Sequence, residues 1–158
     1  MKNIPDPIET LRAQAMKRIV DAGIFSIEQI QRENGAAPEE LPYCRLTIPQ
    51  AADFDTFSQK YMDKTVILEF DVMTRALGLT QTAGMIATSI ENEFGIFDRS
   101  GDSRKINMPG WNGVSAVISK FGRGTAQIET EENIYYLPVL LYVTLTVESG
   151  ATYGDSNQ

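Results

Sequence analysis

Two pairs of carboxylates in this chain have a spacing that acid–base chemistry could use. Asp53 and Asp55, and likewise Glu69 and Asp71, are two residues apart. Residues two apart on a β-strand point to the same face, so each pair could place an acid beside a base. A solvated strand face produces this spacing more often than an active site does. The pairs by themselves therefore predict no catalytic residue.

Two short motifs resemble ion-binding loops only superficially. Segment 98–102, DRSGD, is acidic but lacks the alternating ligand spacing and the distal glutamate of an EF-hand, so a solvated turn is predicted. Segment 121–124, FGRG, is too short to cradle a phosphate and has no following Lys-Ser/Thr, so a hairpin turn is predicted at 121–125. Neither motif indicates a metal or a cofactor.

The residue types that are missing restrict the chemistry further. The chain has no histidine and one cysteine, Cys44, which excludes histidine-based catalysis, an internal disulfide and zinc sites of the usual Cys/His kind. Cys44 is predicted to be a small core residue, because no histidine or cationic cluster lies nearby in the sequence to lower its pKa. We therefore expect no enzyme activity, no catalytic residue, no cofactor and no bound metal.

The bulk properties predict a single globular domain over residues 1–158. Hydrophobic residues make up 42% of the chain and charged residues 22%, which is ordinary for a globular protein. The net charge of −7 should repel nucleic acid phosphates. No apolar run is long enough to span a bilayer and the N-terminus does not resemble a signal peptide, so we expect a cytoplasmic protein without a membrane partner.

A strand joined tightly to a helix is the strongest structural signal. Residues 64–75 alternate in polarity as a strand does, and residues 76–79 form a short connection to the helix. The helix is predicted to have Thr80 as its N-cap and to end at Gly95. The apolar face of the strand consists of Val66, Leu68, Phe70 and Val72.

Weaker signals before this unit predict one more helix and one more strand. Asp6, followed by a proline, is a helix N-cap, and the helix should end near Gly23. A proline-bounded strand is predicted at 42–49. A polar connector with three aromatic residues, 50–63, then leads to the strand at 64–75.

The second half of the chain is predicted to consist mainly of strands. A long loop or contact arm at 95–113 precedes a strand at 113–121, a short strand, and the longest extended run, 133–149. Pro138 in this run indicates that the strand is at an edge of the sheet or bulged there. Residues 150–158 should form a loose tail. The order α-β-β-α followed by two or three strands predicts an α+β fold, with an antiparallel or mixed sheet packed against two main helices.

Charge is distributed unevenly along the second half. Segment 95–124 has five cations and two carboxylates, a net charge of +3, whereas 125–158 has five carboxylates and no cation, a net of −5. Adjacent segments of opposite sign suit a head-to-tail contact between subunits, in which a basic loop meets the next subunit's acidic edge. Random sampling of surface charge is the alternative explanation.

Residues 66–94, VILEFDVMTRALGLTQTAGMIATSIENEF, resemble the tail terminator (tail completion, gpU-like) proteins of long-tailed bacteriophages. Those small proteins begin with a helix, and then have an alternating strand, a short loop and an amphipathic helix. The closing strand YYLPVLLYVTLTVES also fits their pattern. The similarity covers most of the domain in element order, while the connector before Lys64 and the 95–113 loop depart from it.

The resemblance implies a structural virion protein of the phage neck. Such proteins form a homohexameric ring that caps the tail tube, terminates tail polymerisation and joins tail to head. The implied partners are the tail tube protein and a head-completion or stopper protein, with DNA passing through the lumen without specific binding. The implied location is the virion, at the neck or tail end, and before assembly the protein is expected in the host cytoplasm. The predicted interface residues are Arg99, Arg104, Lys105, Trp111, Arg123, Glu129, Glu131, Glu132, Tyr135 and Tyr136.

Three alternatives remain open from the sequence. One is another neck component, such as the head-completion or stopper protein itself. The second is a small metal-dependent nuclease that uses carboxylates such as Asp98 and Asp102. The third is a non-viral binding module that adds a peptide strand to a free sheet edge.

Overall fold

One sheet and two helices form the part of the chain that the computed structural model describes, residues 4–31, 40–48, 54–57, 61–76 and 80–154. The elements are α1 (Pro7–Asp21), β1 (Ile30–Gln31), β2 (Tyr43–Thr47), β3 (Phe54–Phe57), β4 (Tyr61–Arg75), α2 (Thr80–Glu93), β5 (Lys105–Ile106), β6 (Trp111–Arg123), β7 (Gln127–Glu129) and β8 (Ile134–Tyr153). Short 3₁₀ turns occur at Ile27–Gln29 and Asp102–Arg104. The predicted α+β class is confirmed.

The sheet is mixed but mostly antiparallel. Its strands lie in the order β1-β2-β4-β8-β6-β5, while β3 also pairs with β4 and β7 with β8. Among the described strands only β1 and β2 are parallel. The long strands β4 and β8 form the centre, because they pair from Tyr61 opposite Glu148 to Arg75 opposite Ile134.

The predicted apolar face of β4 lies in the core. The register places Val66 opposite Val143 and Leu68 opposite Leu141, and all four side chains are buried. Alternate burial along two paired strands indicates that one face of the sheet is covered. The helices cover it with Leu11, Ala15 and Ile19 of α1 and with Ala83, Ala87, Ile90 and Phe94 of α2.

Helix α1 begins as the sequence predicts. The side chain of Asp6 accepts a 2.9 Å hydrogen bond from the backbone N–H of Ile8, and the first helical residue is Pro7. This bond satisfies one of the amide groups that has no partner within the helix. The sequence signal therefore placed this helix end correctly.

Helix α2 ends at its predicted glycine. The N–H of Gly95 donates to the carbonyl of Asn92 and the N–H of Ile96 donates to that of Glu91. This pair of bonds closes a helix C-terminus when the residue after the cap adopts a left-handed conformation, and Gly95 has φ +91°. At the other end the prediction was one residue off, because Thr80 is the first helical residue instead of the N-cap.

Two segments predicted to be loops contain strands. Strand β3 lies within the 50–63 connector, and β4 begins at Tyr61, three residues earlier than predicted. The 95–113 segment contains β5 and ends in the first residues of β6, and it is held on the body by Ile106 and Met108, which are buried. These apolar residues are isolated in the sequence, so no periodic pattern revealed them.

The hairpin turn is not at 121–125, as predicted from its two glycines. Strand β6 continues to Arg123, and β7 then follows on the same side of β8, so the chain reverses only at 130–133. Gly124 serves a different purpose. A Cβ atom there would lie 2.9 Å from the Cβ of Pro138, so glycine is required by the close approach of the two strands.

Strand β8 lies inside the sheet, so the edge position that Pro138 suggested is wrong. It pairs with β4 on one side and with β6 and β7 on the other. The carbonyl of Pro138 accepts from the N–H of Gly124, beside the break between β6 and β7. The N–H and C=O of a strand residue point to the same neighbour, so the missing N–H faces that break and disrupts no ladder.

The first residues of the predicted loose tail belong to β8. The strand continues to Tyr153, and it pairs with Trp111 and Asn112 at the start of β6. The N–H of Gly154 also donates to the carbonyl of Gly110 at 2.8 Å. Pairing to a neighbouring strand thus orders residues 150–153, whereas 155–158 lie outside the described residues.

Candidate subunit interface

The carboxylate pair Glu69 and Asp71 is part of an ion-pair cluster on the sheet face opposite the helices. Asp71 is buried, and its Oδ2 accepts from Nη2 of Arg45 at 2.8 Å and from Nε at 3.2 Å. Burial, followed by a hydrogen bond to Asp71, raises the pKa of Glu69 to about 6. The cluster joins β2 to β4. The other candidate pair includes Asp53, which lies outside the described residues.

The acidic segment 98–102 is a self-bonded turn. The carboxylate of Asp98 accepts from the N–H and hydroxyl of Ser100 at 3.0 and 2.7 Å, and from the N–H of Ser103 at 3.0 Å. These hydrogen bonds hold the pKa of Asp98 below its ordinary value. Across the described ranges there is no group of three or more His, Cys, Asp or Glu side chains that could hold a metal ion. The turn therefore uses its carboxylate for its own structure.

The predicted basic interface residues separate into engaged and exposed cations. Nε of Arg104 donates to the carbonyl of Gly95 at 3.1 Å, and its guanidinium lies 5.5 Å from the ring centroid of Phe121. Arg99 and Lys105 are instead exposed, and the ion pair of Lys105 with exposed Asp102 is long, at 3.9 Å. Because such exposed pairs contribute little, these two cations remain accessible to a partner.

Arg123 was predicted at the interface, and in the structure it joins two elements of one chain. Its Nη2 donates to Oε1 of Glu91 at 2.6 Å and its Nε donates to Oε2 at 3.2 Å. Nη2 also donates to Oγ1 of Thr88 at 3.1 Å. The fork attaches α2 to the end of β6, with the carboxylate buried and the guanidinium partly exposed.

The three predicted acidic residues lie together at the tip between β7 and β8. Glu129, Glu131 and Glu132 are all exposed. The hydroxyl of Tyr136 donates to Glu129 at 3.0 Å. Burial, followed by this bond, raises the pKa of Tyr136 to about 12. The structure therefore places one sign of charge, without an intervening cation, on one exposed turn.

The three predicted aromatic anchors pack within the chain. Nε1 of Trp111 donates to Oγ1 of Thr10 at 3.3 Å, and its ring meets Tyr153 edge-on at a centroid distance of 5.0 Å. Tyr135 is half-buried against the main core. Tyr136 packs on a second, smaller cluster with Met73. These three rings thus stabilise the fold, and a role in a subunit contact stays a prediction for them.

A partly buried hub at Arg18 was missed in the sequence. Its Nη2 donates to the carbonyl of Glu93 at 2.6 Å and its Nη1 to the carbonyl of Lys105 at 3.2 Å. Its guanidinium also lies 4.5 Å from the ring centroid of Phe94. One side chain thus links α1, the end of α2 and β5, a role that no local sequence pattern indicates.

Exposed apolar side chains were also missed as interface candidates. Phe97, Met85 and Ile128 are 68%, 65% and 58% exposed, respectively. Met85 lies on the outer face of α2, where Gly84, Thr88, Ser89 and Arg123 line a shallow groove with it. Met85 is not among the apolar residues of α2 that recur at helical spacing and face the core, so its exposure could be predicted from the sequence. No sequence pattern indicated that Phe97 and Ile128 are exposed.

Comparisons with known proteins support the fold. No protein-family model and no curated protein matches the chain. A chain of the virion of a native gene transfer agent (GTA) particle has a TM-score of 0.62 and 14% identity, over 92% of this chain and 100% of that chain. A solved protein without a functional name has a TM-score of 0.59 and 12% identity, over 87% and 94%. No described helix is long and apolar enough to cross a membrane. At these identities, the likeness shows a shared α+β architecture.

Proposed function

We propose that this protein is a structural virion component of a phage or phage-like particle. The observation that carries the proposal is the fold match to a chain of a gene transfer agent virion, which spans the whole of that chain and 92% of this one. Coverage of this extent means that the likeness involves most of the architecture and not a single motif. The sequence resemblance to tail terminators points independently to the same class of particle.

Within that class, we propose the neck, with the protein acting as the tail terminator. Six copies form a ring that caps the tail tube, ends its polymerisation and presents its other face to a head-completion or stopper protein. The net charge of −7 suits a DNA conduit, because an acidic wall does not retain phosphates. The protein is made in the host cytoplasm and then resides in the virion.

The described chemistry favours assembly over catalysis. Asp98 is bonded to its own turn, and Asp71 is paired with Arg45. The exposed features of the described residues instead include carboxylates on one turn, cations on another loop and several large apolar side chains. Surfaces of this composition are typical of protein contacts.

Electron microscopy of the purified protein is the direct test. Negative-stain images at high concentration, together with the mass in solution, should show six-fold rings with an open centre. Incubation with purified tail tubes should place such rings at tube ends and stop further growth. Particles that remain monomeric and do not bind tube ends would contradict the terminator role. Binding to the head vertex without the tube would favour the stopper role.

A further inference from the structure

The turn between β7 and β8 presents an acidic surface with an apolar side chain. This surface, the acidic tip, consists of residues 127–133. Ile128 is 58% exposed, and the three glutamates named above are exposed on the same segment. The tip contains no lysine or arginine, so its charge is not neutralised internally. An exposed large apolar residue beside charges of one sign indicates a docking element.

The loop after α2 presents the complementary surface. This surface, the basic loop, consists of residues 95–105. Phe97 is 68% exposed, and the cations Arg99 and Lys105 are exposed on the same loop. The three cations of the loop outnumber its two carboxylates, and exposed Asp102 forms only a long, 3.9 Å ion pair with Lys105. The carboxylate of Asp98 accepts three hydrogen bonds within the loop, and Arg104 donates to Gly95. These bonds shape the loop before any partner arrives, which reduces the entropy lost on binding.

The two surfaces do not cover each other within one chain, because Phe97 and Ile128 remain 68% and 58% exposed. The acidic tip joins β8 at Ile134, whereas the basic loop continues into β5, which pairs with β6 at residues 116–117. Those residues of β6 lie opposite Thr144 and Leu145 of β8. The attachment points are therefore ten residues apart along one strand, or about 33 Å at the strand rise of ~3.3 Å per residue.

We propose that the acidic tip of one copy docks on the basic loop of the next copy. Ile128 packs against Phe97 at the centre of the contact, and the glutamates of the tip lie against Arg99 and Lys105 at its rim. The contact joins different surfaces of identical chains, so it repeats head to tail and generates a ring if the rotation closes. This inference rests on the proposed ring and names the contact that builds it.

Charge reversal on either surface tests the contact. One variant is Glu131→Lys with Glu132→Lys, and the other is Arg99→Glu with Lys105→Glu. Each variant alone should lose self-association by at least about tenfold, because like charges then face each other. An equimolar mixture should restore it to within about threefold of wild type, because the reversed tip now fits the reversed loop. Analytical ultracentrifugation measures all three samples.

Matched controls alter exposed charges elsewhere by the same amount. Glu28→Lys with Glu148→Lys matches the first variant, and Lys17→Glu with Lys120→Glu matches the second; all four positions are exposed. The controls should associate as wild type does. Equal losses in the controls, or a mixture that is no better than its components, would overturn the proposed contact.

Site-directed disulfides give a second readout that does not depend on ring closure. Chains with Phe97→Cys and chains with Ile128→Cys are mixed and oxidised, and the mixed dimer should exceed both homodimers. Native Cys44 is buried and does not compete. Rings without a preferred mixed disulfide would overturn the contact and leave the terminator role intact. Open-ended oligomers that form the mixed disulfide would support the contact and contradict the closed ring. Wild-type protein that stays monomeric, together with a mixture of the two cysteine variants that yields no preferred mixed disulfide, would overturn the contact.

Discussion

The guanidinium of Arg123 forks onto the carboxylate of Glu91, with Nη2 2.6 Å from Oε1 and Nε 3.2 Å from Oε2. The bond ties the end of β6 to the last turn of α2. Removal of the arginine would leave a buried carboxylate without its main donor, which costs more than the loss of an exposed pair.

Arg123→Ala should therefore lower the free energy of unfolding by about 2 kcal/mol, a value between those for exposed and buried pairs. Arg123→Lys should recover only part of the loss, because an ammonium cannot form the fork. Urea denaturation measures both. Arg99→Ala is the control, since Arg99 is exposed, and it should change stability by less than about 0.5 kcal/mol. Equal effects of Arg123→Ala and Arg99→Ala would contradict the structural role of the fork.

Two glycines should respond in opposite directions to a single added methyl group. At Gly124 the new Cβ would lie 2.9 Å from Pro138, so Gly124→Ala should destabilise the protein by about 1–3 kcal/mol through overpacking. At Gly84, inside α2, nothing lies within 4 Å, so Gly84→Ala should stabilise it by about 0.5–1 kcal/mol through helix propensity. Thermal unfolding of the two variants measures both. Shifts of the same sign would contradict the packing of β8 against Gly124.

Glu69 should make stability depend on pH in a weakly acidic range. Its pKa is raised to about 6 by burial and by its hydrogen bond to Asp71, so between its ordinary pKa and pH 6 the folded chain retains a proton that the unfolded chain has lost. Stability contributed by this group is therefore present at low pH and falls as pH rises through that window.

Glu69→Gln should remove that fall and raise stability at pH 7 by about 1 kcal/mol, a figure reduced for the partial exposure of the side chain. Denaturation series from pH 4 to 7 test this. Glu148→Gln, at an exposed position, is the control and should keep the wild-type pH profile. A wild-type slope that persists in Glu69→Gln would assign the pH dependence to other groups.

The thiol of Cys44 should be protected until the protein unfolds. Cys44 is 1% exposed, and burial, followed by the charge of Asp71, raises its pKa, so the reactive thiolate is disfavoured. A chromogenic disulfide reagent should react at least about 100-fold more slowly with the native chain than with the chain in denaturant. Rapid labelling of the native protein would mean that β2 opens readily. The engineered Phe97→Cys chain provides a positive control for an exposed thiol.

Some features of this protein were determined by local sequence alone. The N-cap at Asp6, the helix end at Gly95 and the alternating apolar residues of β4 and β8 could be predicted, because capping and polarity alternation are properties of neighbouring residues. The burial of Cys44 followed from the same kind of reasoning.

Other features were decided only by tertiary structure. Pro138 predicted an edge or bulged strand, but β8 is central in the sheet. The central strand tolerates this proline because the neighbouring strand breaks beside it. The predicted basic interface residues differ in the folded chain, since Arg123 is hydrogen-bonded to Glu91 whereas Lys105 is exposed. Composition records how many charges a segment has, but burial and long-range pairing decide which remain available to a partner. The proposed contact between copies therefore depends on the charges and apolar side chains that folding leaves exposed.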